Sequence, residues 1–176
     1  RLLRPINYPE QTPGQGSVVL ETGKGKVGVI SVQGRTFMQP ALDNPFAALE
    51  RAVSRLREET PVIVVDVHAE TTSEKIAVGR FLDGRVSAVI GTHTHVQTAD
   101  EQIFPGGTAF LCDAGMCGPV ESILGREIEP IVGRFVTSMP THFPVAKGPV
   151  ALHGALIEVD PGTGKAVRIV RFRRVL

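Results

Sequence analysis

A run of β-branched residues in the middle of the chain constrains the fold more than any other feature. Positions 62–67 read Val-Ile-Val-Val-Asp-Val, and such a nearly continuous run is typical of a strand buried on both faces of a helix-covered sheet. Thr71-x-x-Glu74 is a capping-box pattern that predicts a helix ending near Leu82. A second apolar strand follows at 87–90. The segment therefore predicts a βαβ unit whose two parallel strands end at the same edge of the sheet.

Turn residues and hydrophobic spacing predict the remaining elements. Asn44 can cap a helix that Pro45 begins and that ends before Thr60-Pro61. The glycines within 22–26 predict a turn between two antiparallel strands. The other predicted elements are strands at 17–21, 27–32, 108–111, 150–159 and 166–172, and a short helix at 128–136. Together they predict one α/β domain over residues 1–176, with antiparallel additions.

Charge, hydropathy and cysteine count exclude several classes of protein. The 19 Lys and Arg residues against 18 Asp and Glu leave a formal net charge of +1, so the charge pattern does not indicate nucleic-acid binding. Because no apolar run approaches the ~20 residues of a membrane helix and the first residues lack a secretory signal, we expect a cytoplasmic protein without a membrane partner. Cys112 and Cys117 are too few for a disulfide scaffold. Both are predicted to be buried small side chains, with a local bridge as the alternative.

Three of the five histidines follow the two strands of the predicted βαβ unit. His68 comes after the first strand, and His93 and His95 come after the second. Ligands collect at this carboxyl edge of open α/β sheets, where neighbouring strands lie about 4.8 Å apart. In extended backbone, His93 and His95 point to the same side, so the three imidazoles can reach one metal ion or a close pair. Such donors suit Zn, Fe, Mn or Co.

Carboxylates and other histidines leave alternatives open. Asp66 and Glu70 flank His68 and can be ligands themselves, or Asp66 can instead fix the tautomer of an imidazole. A lone histidine at a strand end is more often structural than a ligand. His142 and His153 are interpreted as structural or exposed.

A glycine-rich segment is a second candidate site. Asp113-x-Gly115-x-x-Gly118 can present backbone N–H groups to a phosphate. The alternative interpretation is a tight turn near the histidines.

These motifs resemble those of a known family. Gly91-Thr92-His93-Thr94-His95, preceded by a strand ending in a histidine, is similar to the last two metal motifs of the calcineurin-like metallophosphoesterases. Over nearly its whole length the chain resembles the bacterial YmdB-like family of binuclear-metal phosphodiesterases, which act on cyclic nucleotides, including 2′,3′-cyclic ones. The segments that carry this resemblance are Arg4-Pro5-Ile6-Asn7-Tyr8, Asp43-Asn44-Pro45-Phe46, the run from Asp66 to Lys75, and Asp113-Ala114-Gly115-Met116 with Gly118-Pro119.

The resemblance implies a fold, a metal centre and a substrate. The implied fold is α/β, a layered sandwich of sheets flanked by helices of the metallophosphoesterase type. His68 and His93 would ligate one of two metal ions and His95 the other. Iron is the implied metal, with manganese or zinc as substitutes, and a small cyclic-nucleotide phosphodiester is the implied substrate.

The resemblance also implies that the chain is the C-terminal two-thirds of such a domain, with the N-terminal strands missing. The metal-bridging glutamate and the catalytic histidine would lie in the missing segment, so no catalytic residue is assigned here. An alternative to the complete enzyme is a non-catalytic fragment or half-domain that needs an N-terminal partner segment for metal binding and activity. A third hypothesis is a binding module with structural histidines. Uncovered strand edges also predict homo-oligomers.

Overall fold

The computed structural model describes residues 2–176, which form two sheets and three helices. In chain order the elements are β1 (Ser17–Thr22), β2 (Gly25–Gln33), α1 (Pro45–Arg57), β3 (Ile63–His68), α2 (Thr72–Phe81), β4 (Ala88–Thr92), β5 (Gln102–Ile103), β6 (Ala109–Leu111), β7 (Gly118–Pro119), α3 (Ile128–Thr137), β8 (Val150–Val159) and β9 (Ala166–Val175). Every predicted element is present with small differences at its ends. The two-residue strands β5 and β7 are absent from the sequence prediction, because so short a strand leaves no pattern.

The larger sheet has the strand order β1-β2-β3-β4-β6-β5. Strands β2, β3, β4 and β6 run parallel, and β1 and β5 pair antiparallel with their neighbours. The predicted hairpin of β1 and β2 and the predicted βαβ unit of β3, α2 and β4 are confirmed. The register pairs Gln33 with His68 and His68 with Thr92, so the carboxyl ends of three strands lie side by side.

Successive residues of β3 face different layers of the molecule. Ile63, Val65 and Val67 are fully buried in the core that helices α1 and α2 share. Val64 packs on the opposite face, in a smaller cluster with Ile157 of the hairpin formed by β8 and β9. Helices therefore cover one face of the larger sheet, and another sheet covers the opposite face. The protein has three layers: helices, a six-stranded sheet and a three-stranded sheet.

The capping box predicted at the start of α2 is wrong. Thr71 is the N-cap residue, but its side chain makes no capping hydrogen bond. The Glu74 carboxylate instead accepts hydrogen bonds from the backbone N–H groups of Arg35, at 3.0 Å, and Thr36, at 3.2 Å. Glu74 therefore ties the loop after β2 to α2, a tertiary contact that replaces the local one.

The smaller sheet has the order β7-β8-β9, and β8 pairs antiparallel with β9 as predicted. Several apolar side chains on this sheet and on α3 are exposed, among them Leu156 at 60%, Val167 at 63% and Phe135 at 82%. Between residues 2 and 176, no helix combines the length and the hydropathy that a membrane span requires.

Candidate metal-binding site

Two imidazoles meet at the carboxyl edge of the larger sheet. His68 is the last residue of β3, and His93 follows Thr92, the last residue of β4. The ring centroids lie 4.8 Å apart with an interplanar angle of 87°. The Nε2 atom of His68 is 3.1 Å from the Nδ1 atom of His93. Parallel pairing of β3 and β4 thus produces the proximity that the sequence predicts for these two residues.

A chain of hydrogen bonds fixes the tautomer of His68. The Thr92 hydroxyl donates to Oδ1 of Asp66 at 2.8 Å and lies 3.2 Å from Nδ1 of His68. Since its only proton goes to the carboxylate, the hydroxyl accepts from an Nδ1–H of His68. The Nε2 lone pair of His68 is then directed at His93. Ser31 donates to the other carboxylate oxygen of Asp66 at 3.2 Å, so Asp66 has the orienting position rather than that of a ligand.

Burial also favours the neutral form of His68. Desolvation lowers the pKa of His68, and the nearby ring of His93 lowers it further. A neutral imidazole is the form that binds a metal ion, because the ligating nitrogen must be unprotonated.

His93 is positioned by an unusual backbone and by a carboxylate. Its φ is 109°, a conformation that residues with a Cβ rarely adopt and that is found most often at functional sites. The Nε2 atom of His93 is 3.0 Å from Oε2 of Glu70. In a neutral His93, Nε2–H donates to Glu70 and the Nδ1 lone pair faces the Nε2 lone pair of His68.

This arrangement fits a shared cation. Two lone pairs 3.1 Å apart repel each other unless a proton or a metal ion lies between them. Nitrogen ligands of one zinc ion lie about 2.0–2.1 Å from the metal, and hence roughly 3.0–3.4 Å from each other. His68 and His93 therefore match the donor type and the spacing of two ligands on one ion.

His95 does not join these two rings in the way that the sequence analysis assumed. Strand β4 ends at Thr92, and His95 has a φ of 67°, so the alternation of side chains in extended backbone does not apply. His95 is exposed and lines a separate cavity that also contains Met116 and His153. Within residues 2–176, no three His, Cys, Asp or Glu side chains form a group that could hold a metal ion. A role for His95 as a ligand stays a prediction.

A buried ion pair beneath the histidines is missing from the sequence analysis. The Nζ atom of Lys75 is 2.9 Å from Oδ2 of Asp113, and both side chains are 1% exposed. Oδ2 of Asp113 also accepts from the backbone N–H and the hydroxyl of Thr94, at 2.9 and 2.7 Å. The pair thereby anchors the loop between His93 and His95. The sequence did contain a signal for this pair. Lys75 precedes Val78 and Leu82 at steps of three and four residues, which places it on the apolar face of α2.

Hydrogen bonds keep Asp113 ionised. Burial alone would raise the pKa of Asp113, but the ammonium of Lys75 and the hydrogen bonds from Thr94 and Gly115 hold it below its ordinary value. In the glycine-rich segment, the N–H of Gly115 donates to Asp113 and that of Ala114 to the Gly91 carbonyl. Two donors of the segment are thus used within the protein, which favours the tight turn, and a contact of the segment with a phosphate stays a prediction.

The remaining candidates have simpler positions. Cys112 is buried, Cys117 is exposed and both thiols are free, so the prediction of burial is correct for the first and wrong for the second, which lies in the loop before β7. His142 is exposed as predicted. His153 is half-buried, and its Nδ1 atom lies 2.6 Å from the Met116 carbonyl oxygen.

The fold and the site together define the class of protein: an α/β sandwich with paired imidazoles at the carboxyl ends of parallel strands. The chain belongs to the YmdB-like protein family, whose sequence profile matches residues 1–172. It is 49% identical to the 2′,3′-cyclic-nucleotide 2′-phosphodiesterase of Bacillus subtilis over 170 residues, which are 97% of this chain and 64% of that protein. The chain thus spans less than two thirds of that relative.

Solved structures show the same architecture. A crystal structure of a hypothetical protein from Thermus thermophilus is 43% identical and superposes with a TM-score of 0.90, over 98% of this chain and 67% of that one. A crystal structure of a phosphatase from Mycoplasma pneumoniae is 37% identical, with a TM-score of 0.88 over 98% of this chain and 63% of that one. The predicted relationship to the YmdB-like family is confirmed. The expectation that N-terminal strands are missing stays a prediction.

Proposed function

We propose that this chain carries part of the metal centre of a phosphodiesterase that hydrolyses cyclic nucleotides. The observation that carries the proposal is the contact between Nε2 of His68 and Nδ1 of His93, at 3.1 Å. Membership of the YmdB-like family and the activity for which the B. subtilis relative is named support the substrate class. The two free thiols agree with a cytoplasmic location for this activity.

In this proposal each residue of the site has a defined task. His68 and His93 hold one metal ion, and His95 holds a second. Asp66 and Thr92 keep the Nε2 lone pair of His68 available, as their hydrogen bonds require. Metal ions bound there would lower the pKa of a water molecule and neutralise charge on the phosphoryl oxygens. Iron is the proposed metal, and manganese or zinc are the proposed substitutes.

A second candidate function is a non-catalytic half-domain that needs an N-terminal segment for metal binding. Two observations favour it. Residues 2–176 contain no group of three potential ligands, and the chain spans 64% of the B. subtilis relative. This candidate predicts weak metal binding and no hydrolysis by the chain alone.

Elemental analysis combined with a hydrolysis assay separates the two candidates. The chain is loaded with iron, manganese or zinc, dialysed, and assayed with adenosine 2′,3′-cyclic monophosphate. For the enzyme we expect stoichiometric metal and turnover, and we expect His68→Ala, His93→Ala and His95→Ala each to abolish metal occupancy or activity. His142→Ala is the matched control, because His142 is an exposed histidine that bonds to neither ring of the contact. A variant that keeps full activity and stoichiometric metal removes its histidine from the site.

A chelation experiment tests the third hypothesis of structural histidines. Loss of a bound metal lowers the melting temperature, because the metal binds the folded state and not the unfolded one. If the metal-loaded chain melts at the same temperature with and without a chelator, the histidines are structural and the metal proposal is wrong.

A further inference from the structure

His95 lines a cavity whose walls include neither His68 nor His93. Its volume is about 170 Å³. Sites for drug-sized ligands measure roughly 300–1,000 Å³, so this cavity accommodates one ring system rather than a whole nucleotide. The side chains that line it include His95, Met116, Val120, Leu124, His153 and Arg173.

The hydrogen bond of His153 leaves one ring nitrogen available to a ligand. Nδ1 of His153 lies 2.6 Å from the backbone carbonyl oxygen of Met116. A carbonyl oxygen only accepts, so Nδ1 carries the proton and the neutral ring has an accepting Nε2. Nε2 has no hydrogen-bond partner in the part of the chain that the structure describes. Gly115 lies close to the base of this side chain, since a Cβ at Gly115 would be 3.2 Å from Cβ of His153.

Arg173 brings a free guanidinium to the same place. It pairs with His153 across the ladder of β8 and β9, so the two side chains lie on one face of the sheet. Two other arginines of β9 form ion pairs: Arg168 binds Glu158 and Arg171 binds Glu101. Within residues 2–176, Arg173 has neither an ion pair nor a side-chain hydrogen bond.

The cavity is lined by both apolar and polar side chains, and together they determine which kind of ligand fits it. Met116, Val120 and Leu124 provide apolar surface, which a phosphate ion alone would leave without a partner. A heteroaromatic ring can contact both the apolar and the polar side chains of this lining. Its faces pack on apolar groups or on a guanidinium plane, and its edges form hydrogen bonds with Arg and His.

We propose that this cavity is a nucleoside subsite, in which the base packs between Met116 and Arg173 and its edge bonds to His153. The inference rests on the proposed function for its geometry, since a phosphate held beside His95 would place the attached nucleoside in the neighbouring cavity. His153 and Arg173 then determine which nucleotides bind, and neither takes part in the reaction itself.

Binding of adenosine to the metal-free chain tests the subsite independently of catalysis. Adenosine has no phosphate, so its binding reports the cavity alone. We expect adenosine to shift the NMR signals of the Met116 methyl group and the His153 ring. We expect Arg173→Gln to weaken this binding roughly tenfold, as for the loss of a hydrogen bond from a charged group. His153→Phe, which keeps an aromatic ring but removes both Nε2 and the bond of Nδ1 to Met116, should weaken it several-fold.

Arg168→Gln is the matched control for Arg173→Gln. Arg168→Gln lies on the same strand but is paired with Glu158, so it should bind adenosine like the wild type. The inference is overturned if adenosine shifts other signals, if Arg173→Gln binds as tightly as Arg168→Gln, or if inorganic phosphate shifts these signals and adenosine does not. If adenosine binds as expected but the metal-loaded chain hydrolyses no cyclic nucleotide, the subsite stands and the proposed enzyme fails.

Discussion

At the scale of single residues, the ion pair of Lys75 and Asp113 is the contact on which the site most depends. Both side chains are 1% exposed, so removal of one partner leaves a buried charge without compensation. We expect Lys75→Met to lower the free energy of unfolding by about 3–5 kcal/mol. The double variant Lys75→Met, Asp113→Asn should recover part of this loss, because it removes both charges. Urea unfolding monitored by circular dichroism measures both.

A surface lysine provides the control for this prediction. Lys147 is exposed, and Lys147→Met should change the free energy of unfolding by no more than about 0.5 kcal/mol. If Lys75→Met lowers the free energy of unfolding by no more than Lys147→Met does, the interpretation of the buried ion pair is wrong.

The acid dependence of stability follows from Asp113. Its pKa lies below the ordinary value of 3.8, so the folded state binds its proton less readily than the unfolded state. The stabilisation is therefore fully present above that value and is lost as the pH falls toward the lower, folded-state pKa. We expect the wild type to lose free energy of unfolding more steeply below pH 4 than Asp113→Asn does. If the free energy of unfolding falls with the same slope in the wild type and in Asp113→Asn between pH 5 and pH 3, Asp113 is not the source of the acid dependence.

Thr92 determines which nitrogen of His68 is available. Thr92→Val removes the hydroxyl that joins Asp66 to Nδ1 of His68 while keeping the shape of the side chain. We expect metal affinity to fall about 10- to 100-fold, as for other residues that orient a ligand. Isothermal titration with zinc measures the change, and Thr141→Val, at an exposed position, is the control. Equal affinities for the two variants would show that the hydrogen-bond chain does not tune His68.

At the scale of elements, Gly91 sets how closely β4 approaches the end of β6. A Cβ at Gly91 would lie 1.7 Å from the carbonyl oxygen of Cys112, so a side chain cannot be accommodated without separating the two segments. We expect Gly91→Ala to lower the free energy of unfolding by about 3 kcal/mol. The same shift should weaken metal binding, because Gly91 directly precedes Thr92 and His93.

In helix α3 we expect a Gly→Ala substitution to stabilise the protein rather than destabilise it. Gly133 lies within α3 and has no atom within 4 Å of the position of a Cβ. Gly133→Ala should therefore raise the free energy of unfolding by about 0.5–1 kcal/mol, because alanine favours the helix. Thermal unfolding measures the change in the free energy of unfolding for Gly91→Ala and for Gly133→Ala. If both substitutions stabilise the protein, or both destabilise it, the packing argument is wrong.

At the scale of the whole molecule, the distribution of exposed apolar side chains predicts self-association. Phe135 is 82% exposed on α3 and Leu156 is 60% exposed on β8, and such patches favour contacts between copies. We expect sedimentation velocity to show oligomers that grow with concentration, and Phe135→Lys with Leu156→Lys to reduce them. Phe37→Lys is the control, since Phe37 is 87% exposed but lies elsewhere. A wild-type chain that sediments as a monomer at all concentrations would contradict this prediction.

Much of the architecture and one half of the site could be predicted from the sequence. The β-branched run of β3, the cap and proline at the start of α1, and the turn between β1 and β2 are local patterns, and each forms the predicted element. The position of His68 beside His93 follows from the βαβ unit alone, since parallel strands bring their carboxyl ends together. These features depend on residues close together in the sequence or on a rule of chain connection.

Long-range contacts decided the rest. Glu74 binds a loop 39 residues away instead of capping its own helix, and Lys75 binds Asp113 38 residues away. The positive φ of His93 and His95 turns the chain out of the strand, with Thr94 between them held by Asp113. The amino-acid sequence by itself determined the strands, the helices and the residue types at the edge of the sheet. Only the tertiary structure decided where each imidazole points, because side-chain direction there depends on partners that no local pattern reveals.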